Sequence, residues 1–152
     1  MSLFKLNKFH WHGTDDEAFR FKLDGHPEIA TSTAKRGNNL LVPPVFGSGP
    51  EATGGCYDID DIQKIINRAS NNYIEVMPEF DLPGHNLSLV NLYPRTRDPE
   101  DKSCEVSVQG YIENTINPAM PETISLTESL IDDLCSMFPG EYIHLGLSLI
   151  HI

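Results

Sequence analysis

Along residues 3–12 the side chains alternate in character. Asn7, Phe9 and Trp11 fall on one side of an extended chain, and Leu6, Lys8, His10 and His12 on the other. The alternation predicts a strand ending near His12, and Gly13-Thr14-Asp15-Asp16 supplies turn residues after it. Asp58 is placed to cap a helix in which Ile59, Ile62, Ile65, Ile66 and Ala69 keep the i, i+3, i+4, i+7 spacing of one buried face, closed by Asn71-Asn72. The β-rich run Tyr73-Ile74-Glu75-Val76-Met77 reads as a short strand, stopped by Pro78 and opening into a loop over 79–85. Pro121 suits a first helical turn, and Ile124, Thr127, Leu130, Ile131, Leu134 and Phe138 mark a helical face that ends at Pro139-Gly140. Glu141-Tyr142-Ile143-His144-Leu145-Gly146 reads as a further strand.

Residues 24–55, dense in Gly, Pro, Asn and Ser, are expected as a long structured loop, and a loop of that length inside a compact domain usually carries function. A polar loop holding Asp98, Glu100, Asp101 and Lys102 is expected before the last helix. Strands and helices in alternation predict an α/β fold with parallel crossovers, for which a (β/α) barrel is a natural form. A complete barrel takes about 250 residues. At 152 residues the chain is roughly half of one.

Composition narrows the ligand. With 39% hydrophobic and 22% charged residues the chain has the make-up of a soluble globular domain. A net charge of -11 argues against a nucleic-acid or anionic-membrane partner and favours a neutral or cationic one. Cys56, Cys104 and Cys135 form no C-x-x-C pair, so neither a zinc ribbon nor a thioredoxin-like motif is present, and the odd count leaves at least one unpaired within the chain. Met1-Ser2-Leu3-Phe4-Lys5 lacks the basic start and apolar stretch of a secretory signal.

Each predicted strand is followed by ionisable residues, where parallel α/β folds place their chemistry. The clusters are His10-Trp11-His12 with Asp15-Asp16, then Glu79, Asp81 and His85, then His144. Taken singly, an Asp pair is more often a turn or cap, and a lone His a hydrogen-bonded structural residue. Taken together, a barrel would bring the three strand ends into one mouth. His10 and His12 on one strand face suit a metal, as in barrel hydrolases with an H-x-H pair, whereas His85 beside Asp15 suits the orienting and tuning of a carboxylic acid. Spacing leaves both open.

Three long blocks in order, Leu6 through Glu17 (LNKFHWHGTDDE), Ile74 through His85 (IEVMPEFDLPGH) and Tyr142-Ile143-His144-Leu145-Gly146, resemble the catalytic barrel of the family-20 glycoside hydrolases. They are joined by Gly54-Gly55-Cys56-Tyr57 and Asn117-Pro118, which also match, while Gly47-Ser48-Gly49-Pro50 and Ser107-Val108-Gln109-Gly110 look closest to the bacterial chitobiase-like branch. The resemblance implies an incomplete (β/α)8 TIM barrel, roughly strands two to four with their helices, over residues 1–146. It implies an exo-β-N-acetylhexosaminidase needing no cofactor and no metal, acting on N-acetylglucosamine- or N-acetylgalactosamine-terminated glycans or chitooligosaccharides. In that mechanism the substrate's own acetamido oxygen attacks the anomeric carbon and a glutamic acid protonates the leaving oxygen. By position, Asp15 and His85 match the residues that support the acid and help bind substrate, and His144 and Gly146 open the H-x-G-G-D-E block. His10, His12, Asp16, Glu79 and Asp81 fall within the motif, with Glu79 and Asp81 expected as scaffold.

The chain departs from that pattern after Gly146. Leu147-Ser148-Leu149 stands where the family has Gly-Asp-Glu, so the dyad is missing and the chain is expected to be inactive. Residues 147–152 match one reading frame of a common transposase sequencing adapter and are expected to be an adapter-derived tail. An upstream strand with a substrate-holding arginine and later strands with aromatic pocket walls are expected of the full-length parent, itself expected to be secreted, periplasmic or lysosomal. Two other readings are a metal-dependent barrel hydrolase using His10, His12 and His85, and a protein that binds N-acetylglucosamine without cleaving it.

Overall fold

The computed structural model describes residues 1–44, 49–100 and 115–146. Its elements are β1 (Lys8–His12), β2 (Thr14–Asp15), β3 (Ala18–Phe19), α1 (Pro27–Thr33), β4 (Lys35–Arg36), β5 (Thr53–Gly54), α2 (Ile59–Ser70), β6 (Glu75–Leu82), α3 (Leu87–Leu92), α4 (Pro121–Met137) and β7 (His144–Gly146), with single 3-10 turns at Ser2–Phe4 and Pro94–Thr96. Three strands form a parallel sheet in the order β1-β6-β7, and β2-β3 and β4-β5 are small antiparallel pairs. The α/β class and the parallel crossovers are as the alternation predicts. No described helix is long and apolar enough to cross a membrane.

The period-2 alternation sorts the sheet into two faces. Phe9 and Trp11 on β1, together with Val76 and Phe80 on β6, face the helices and belong to the apolar cluster with Ile62 of α2 and Leu130, Leu134 and Met137 of α4. His10, His12, Glu79 and His144 share the opposite face, because the register pairs His12 with Glu79 and Glu79 with His144. The centre of the core is aromatic. Phe21 sits edge-on to Trp11 at 5.5 Å and to Phe138 at 5.3 Å, and Phe19 edge-on to Phe80 at 5.6 Å. Gly13 is required here, since a Cβ would lie 2.0 Å from the Phe21 ring.

α2 begins as expected: the Asp58 side chain accepts a hydrogen bond from the Asp61 amide at 2.9 Å. Asp58→Ala should therefore cost about 1 kcal/mol, a loss measurable in the urea midpoint. An unchanged midpoint would show that the cap is replaced by solvent.

Several expectations fail at the level of boundaries. The first strand starts only at Lys8, because pairing begins where the Glu75 amide reaches the Asn7 carbonyl, and Leu3, Phe4 and Leu6 before it are exposed. The long loop of residues 24–55 contains α1 and the β4-β5 pair. Both are too short to show a period, and α1 is held by burial of Ile29, Ala30 and Thr33. The polar loop after 85 likewise begins with α3, held by buried Leu87, Leu89 and Val90.

Pro78 does not stop β6. The Glu75 amide points to β1, so alternation sends the Met77 and Glu79 amides there too and leaves the missing Pro78 donor facing β7, whose pairing starts only at Glu79. On α4 the buried positions are Thr123, Leu130, Leu134 and Met137, and Ile124, expected on that face, is 51% exposed. The last strand is shorter than expected, His144–Gly146 rather than 141–146. Residues 107–110, 47–48, Cys104 and the 147–152 tail lie outside the described residues, and Cys56 and Cys135 are free thiols.

Candidate active site at the strand ends

The predicted site residues converge on the C-terminal ends of β1, β6 and β7. Glu79, 7% exposed, is the hub. Its Oε2 meets His12 Nδ1 in a short contact and His10 Nε2 at 3.1 Å, and its Oε1 meets His144 Nδ1 at 2.9 Å. His144 Nδ1 also accepts a hydrogen bond from the Gly146 amide at 3.0 Å, so its approach to Glu79 is a charge contact beside that bond.

A second carboxylate continues the chain of contacts. His12 Nε2 lies 3.4 Å from Asp15 Oδ2, and Asp15 Oδ1 is 3.1 Å from His85 Nδ1 and accepts from the Asp16 amide at 2.7 Å. Glu79, His12, Asp15 and His85 thus form one line from β6 through the end of β1 to the loop after β6. An imidazole with a carboxylate at each nitrogen donates from both only as the imidazolium. Burial pushes His12 down, but the Glu79 hydrogen bond and charge, followed by those of Asp15, outweigh it and leave His12 more basic than an ordinary imidazole. Burial likewise pushes Glu79 up, and the His12 bond with the charges of His12, His10 and His144 brings it below the usual carboxylate range. The Glu79 contribution to stability is fully present above its ordinary 4.5 and lost as pH falls; that of His12 is fully present below its ordinary 6.5 and lost as pH rises.

The backbone around this line is locked from beneath. Asp16, 1% exposed, accepts from the Leu87 amide at 3.2 Å and so ties the loop after β2 to α3. Asn86, also 1% exposed, donates from Nδ2 to the Asp81 carbonyl at 2.7 Å and to the Gly84 carbonyl. His85 between them takes φ 56°, a left-handed conformation costly for a non-glycine residue and held here by both neighbours. Thr14 Oγ1 accepts from the Asp81 amide at 3.0 Å. Asn86 and Thr14 act through side chain to backbone bonds across 67 residues or across a turn, which no spacing in the sequence announces.

Asp81 is 3% exposed, and its Oδ1 has no hydrogen-bond partner. Burial, with help from the charges of Glu79 and Asp15, pushes its carboxyl up against the opposing pull of His85 and His12. A raised folded-state value means that its contribution is favourable below the ordinary 3.8 and is lost as pH rises through the raised value. Asp81→Asn should therefore unfold at higher temperature than the parent at pH 7, with the difference closing near pH 4. A variant less stable at neutral pH would show that the charge is compensated. Gly146, at φ 65°, packs against the same group, and a Cβ there would fall 1.8 Å from Asp81 Oδ1. Glu17 was not singled out by the sequence, yet it too is a carboxyl raised by burial and by Asp15 and Asp16, with a buried, unpartnered Oε1.

Beside His12 a cleft of about 480 Å³ is lined by Trp11, Arg20, Cys56 and Tyr57 among others, with the Trp11 and Tyr57 rings edge to face at 4.8 Å. Arg20 braces it through bonds from Nη1 to the Ala34 and Gly55 carbonyls. The metal set His10, His12 and His85 is not assembled among the described residues. The groups close enough to share an ion are His10 with Glu79 and His144, His12 with Glu79 and Asp81, and Asp15 with Asp16 and His85.

The model of the glycosyl hydrolase family 20 catalytic domain matches residues 1–147. A β-hexosaminidase of Vibrio furnissii is 33% identical over 144 residues, covering 94% of this chain and 24% of that protein. The N,N'-diacetylchitobiase of Vibrio harveyi is 30% identical over 90% of this chain and 18% of its own length. Among solved structures, the family-20 exo-β-N-acetylglucosaminidase of Vibrio harveyi in complex with N-acetylglucosamine superposes with TM-score 0.88 at 31% identity, over 98% of this chain and 24% of that one. The Streptomyces coelicolor β-N-acetylhexosaminidase superposes with TM-score 0.74 at 27% identity, over 95% of this chain and 27% of that one. These neighbours are TIM-barrel-type enzymes, and the chain spans about a quarter of their length. With its family-wide match and its three motif blocks gathered at one sheet end, the chain belongs to glycosyl hydrolase family 20, a family of glycosidases.

Proposed function

We propose that residues 1–146 are part of the catalytic barrel of an exo-β-N-acetylhexosaminidase, roughly strands two to four, and that Asp15 and His85 support its acid and contact substrate. The observation that carries the reading is the Asp15–His85 pair, 3.1 Å apart at the mouth of the parallel strands, within a segment matched to the family throughout. The substrate class is a glycan ending in N-acetylglucosamine or N-acetylgalactosamine, supported by the N-acetylglucosamine complex and the chitobiase among the relatives.

The reaction is substrate-assisted. The substrate's acetamido oxygen attacks the anomeric carbon to give an oxazolinium, and an acid protonates the departing glycosidic oxygen. Asp15 fixes the ring orientation of His85 through Nδ1, and an oriented imidazole sets the proton affinity of an adjacent carboxyl. The residues after Gly146, Leu147-Ser148-Leu149-Ile150-His151-Ile152, bring no carboxylate, so this chain has no acid of its own there and is proposed to be catalytically silent. They are proposed to be a tail distinct from the barrel segment.

Assay of the purified chain with 4-nitrophenyl N-acetyl-β-glucosaminide is expected to give no turnover. Residues 1–146 placed in the corresponding segment of the Vibrio harveyi exo-β-N-acetylglucosaminidase are expected to restore hydrolysis. Turnover by the isolated chain would overturn the silence, and a folded but inactive chimera would overturn the assignment of the segment.

A further inference from the structure

We propose that Asp81 is a positioning residue for the acid-bearing segment that follows β7 in the full enzyme, holding that segment by accepting a main-chain hydrogen bond at Oδ1. The inference rests on the hexosaminidase reading above and adds to it a residue outside the Asp15–His85 pair.

The local structure aims this one carboxylate. β6 pairs with β7 at Glu79 with His144 and at Leu82 with Gly146, so Phe80 and Asp81 on one strand stand against Leu145 alone on the other. An irregularity of this kind bends the strand and re-aims a side chain. The Asp81 backbone is pinned on both sides, its amide by Thr14 Oγ1 at 3.0 Å and its carbonyl by Asn86 Nδ2 at 2.7 Å, from residues that are themselves buried. The side chain so held presses on Gly146, where the Cβ of any other residue would fall on Oδ1.

Oδ1 is nevertheless buried and has no hydrogen-bond partner among the described residues. Such an atom is costly, and nearly all buried polar atoms in native folds are satisfied. The nearby carboxylates of Glu79 and Asp15 are acceptors when ionised and cannot serve it. What does reach it is the end of β7, and the next peptide nitrogen is only two bonds from the Gly146 Cα against which the carboxylate packs. In the family pattern that peptide opens the Gly-Asp-Glu run. An acceptor fixed on β6 would set the direction in which the run leaves the sheet, and so the place of its glutamic acid against the glycosidic oxygen. Acceptance needs an oxygen and not a charge, so an amide at this position serves as well.

The test uses the Vibrio harveyi chimera carrying residues 1–146, in which the host's own sequence follows Gly146. Two substrates are compared: N,N'-diacetylchitobiose, whose leaving oxygen needs a proton, and 2,4-dinitrophenyl N-acetyl-β-glucosaminide, whose phenolate departs without one. Asp81→Ala and Asp81→Leu, which lack an acceptor, are expected to lower kcat on chitobiose about 10²-fold, the cost of displacing a reacting group by about 1 Å. KM should move less than about threefold, because substrate contacts are untouched. On the dinitrophenyl substrate kcat/KM, which reports bond breaking alone, should fall less than about tenfold. Asp81→Asn should recover most of the chitobiose loss. Circular dichroism checks that each variant is folded. Equal losses on both substrates, a loss confined to KM, or Asp81→Leu matching Asp81→Asn would each overturn the positioning role while leaving the hexosaminidase reading intact. A folded parent chimera without activity would instead overturn that reading, and this inference with it.

Discussion

Asp15→Asn is expected to lower kcat at least 10²-fold in the Vibrio harveyi chimera that carries residues 1–146, the low end of what a positioned acid or base contributes. The substitution keeps the size of the side chain and removes its charge. It also lets an amide nitrogen compete for the position that Asp15 Oδ1 holds against His85 Nδ1 and the Asp16 amide. His85 would then lose the partner that sets its tautomer and ring plane. His85→Ala should cost a similar factor, and the double variant little more than either single one, because residues acting as a unit are not additive. A kcat within threefold of the parent chimera, or losses that multiply, would show that the pair is only part of the architecture.

The second large effect lies in the core. Phe21 is fully buried, and its ring is in edge contact with Trp11, Phe138 and Phe19 while filling the space above Gly13. Phe21→Ala removes the ring from a site walled on several sides, where collapse is limited. It should cost about 3–5 kcal/mol in urea unfolding. A domain of this size has only about 5–15 kcal/mol to lose, so the variant should be largely unfolded well below the parent's midpoint. A cost under about 1 kcal/mol would mean that the aromatic cluster repacks around the gap.

The two effects differ in how far they could be anticipated. Asp15 and His85 stand in motif blocks, and a parallel fold places strand ends together, so their meeting was expected before any coordinate. Phe21 carried no such mark. It lies between β3 and α1 in a stretch for which the pattern predicts no element, and its burial depends on Trp11 and on Phe138, which is more than a hundred residues away.

Local patterning was sufficient wherever an element is long enough to repeat its own period. The β1 alternation from Lys8 to His12, the Asp58 cap of α2 with its buried Ile62 and the proline start of α4 all follow from nearest neighbours along the chain. Ile59, expected on the same buried face, is 41% exposed because it sits in the first turn. Pairing across the sheet decided the rest. It carried β6 through Pro78, because the lost donor faces a side where no strand yet pairs, and it trimmed the first and last strands to the residues that find a partner. It also made Glu79 the hub. Its charge is shared by His10, His12 and His144 only because a parallel register sets residues 67 and 65 positions apart side by side, a coincidence in space that no short-range pattern encodes.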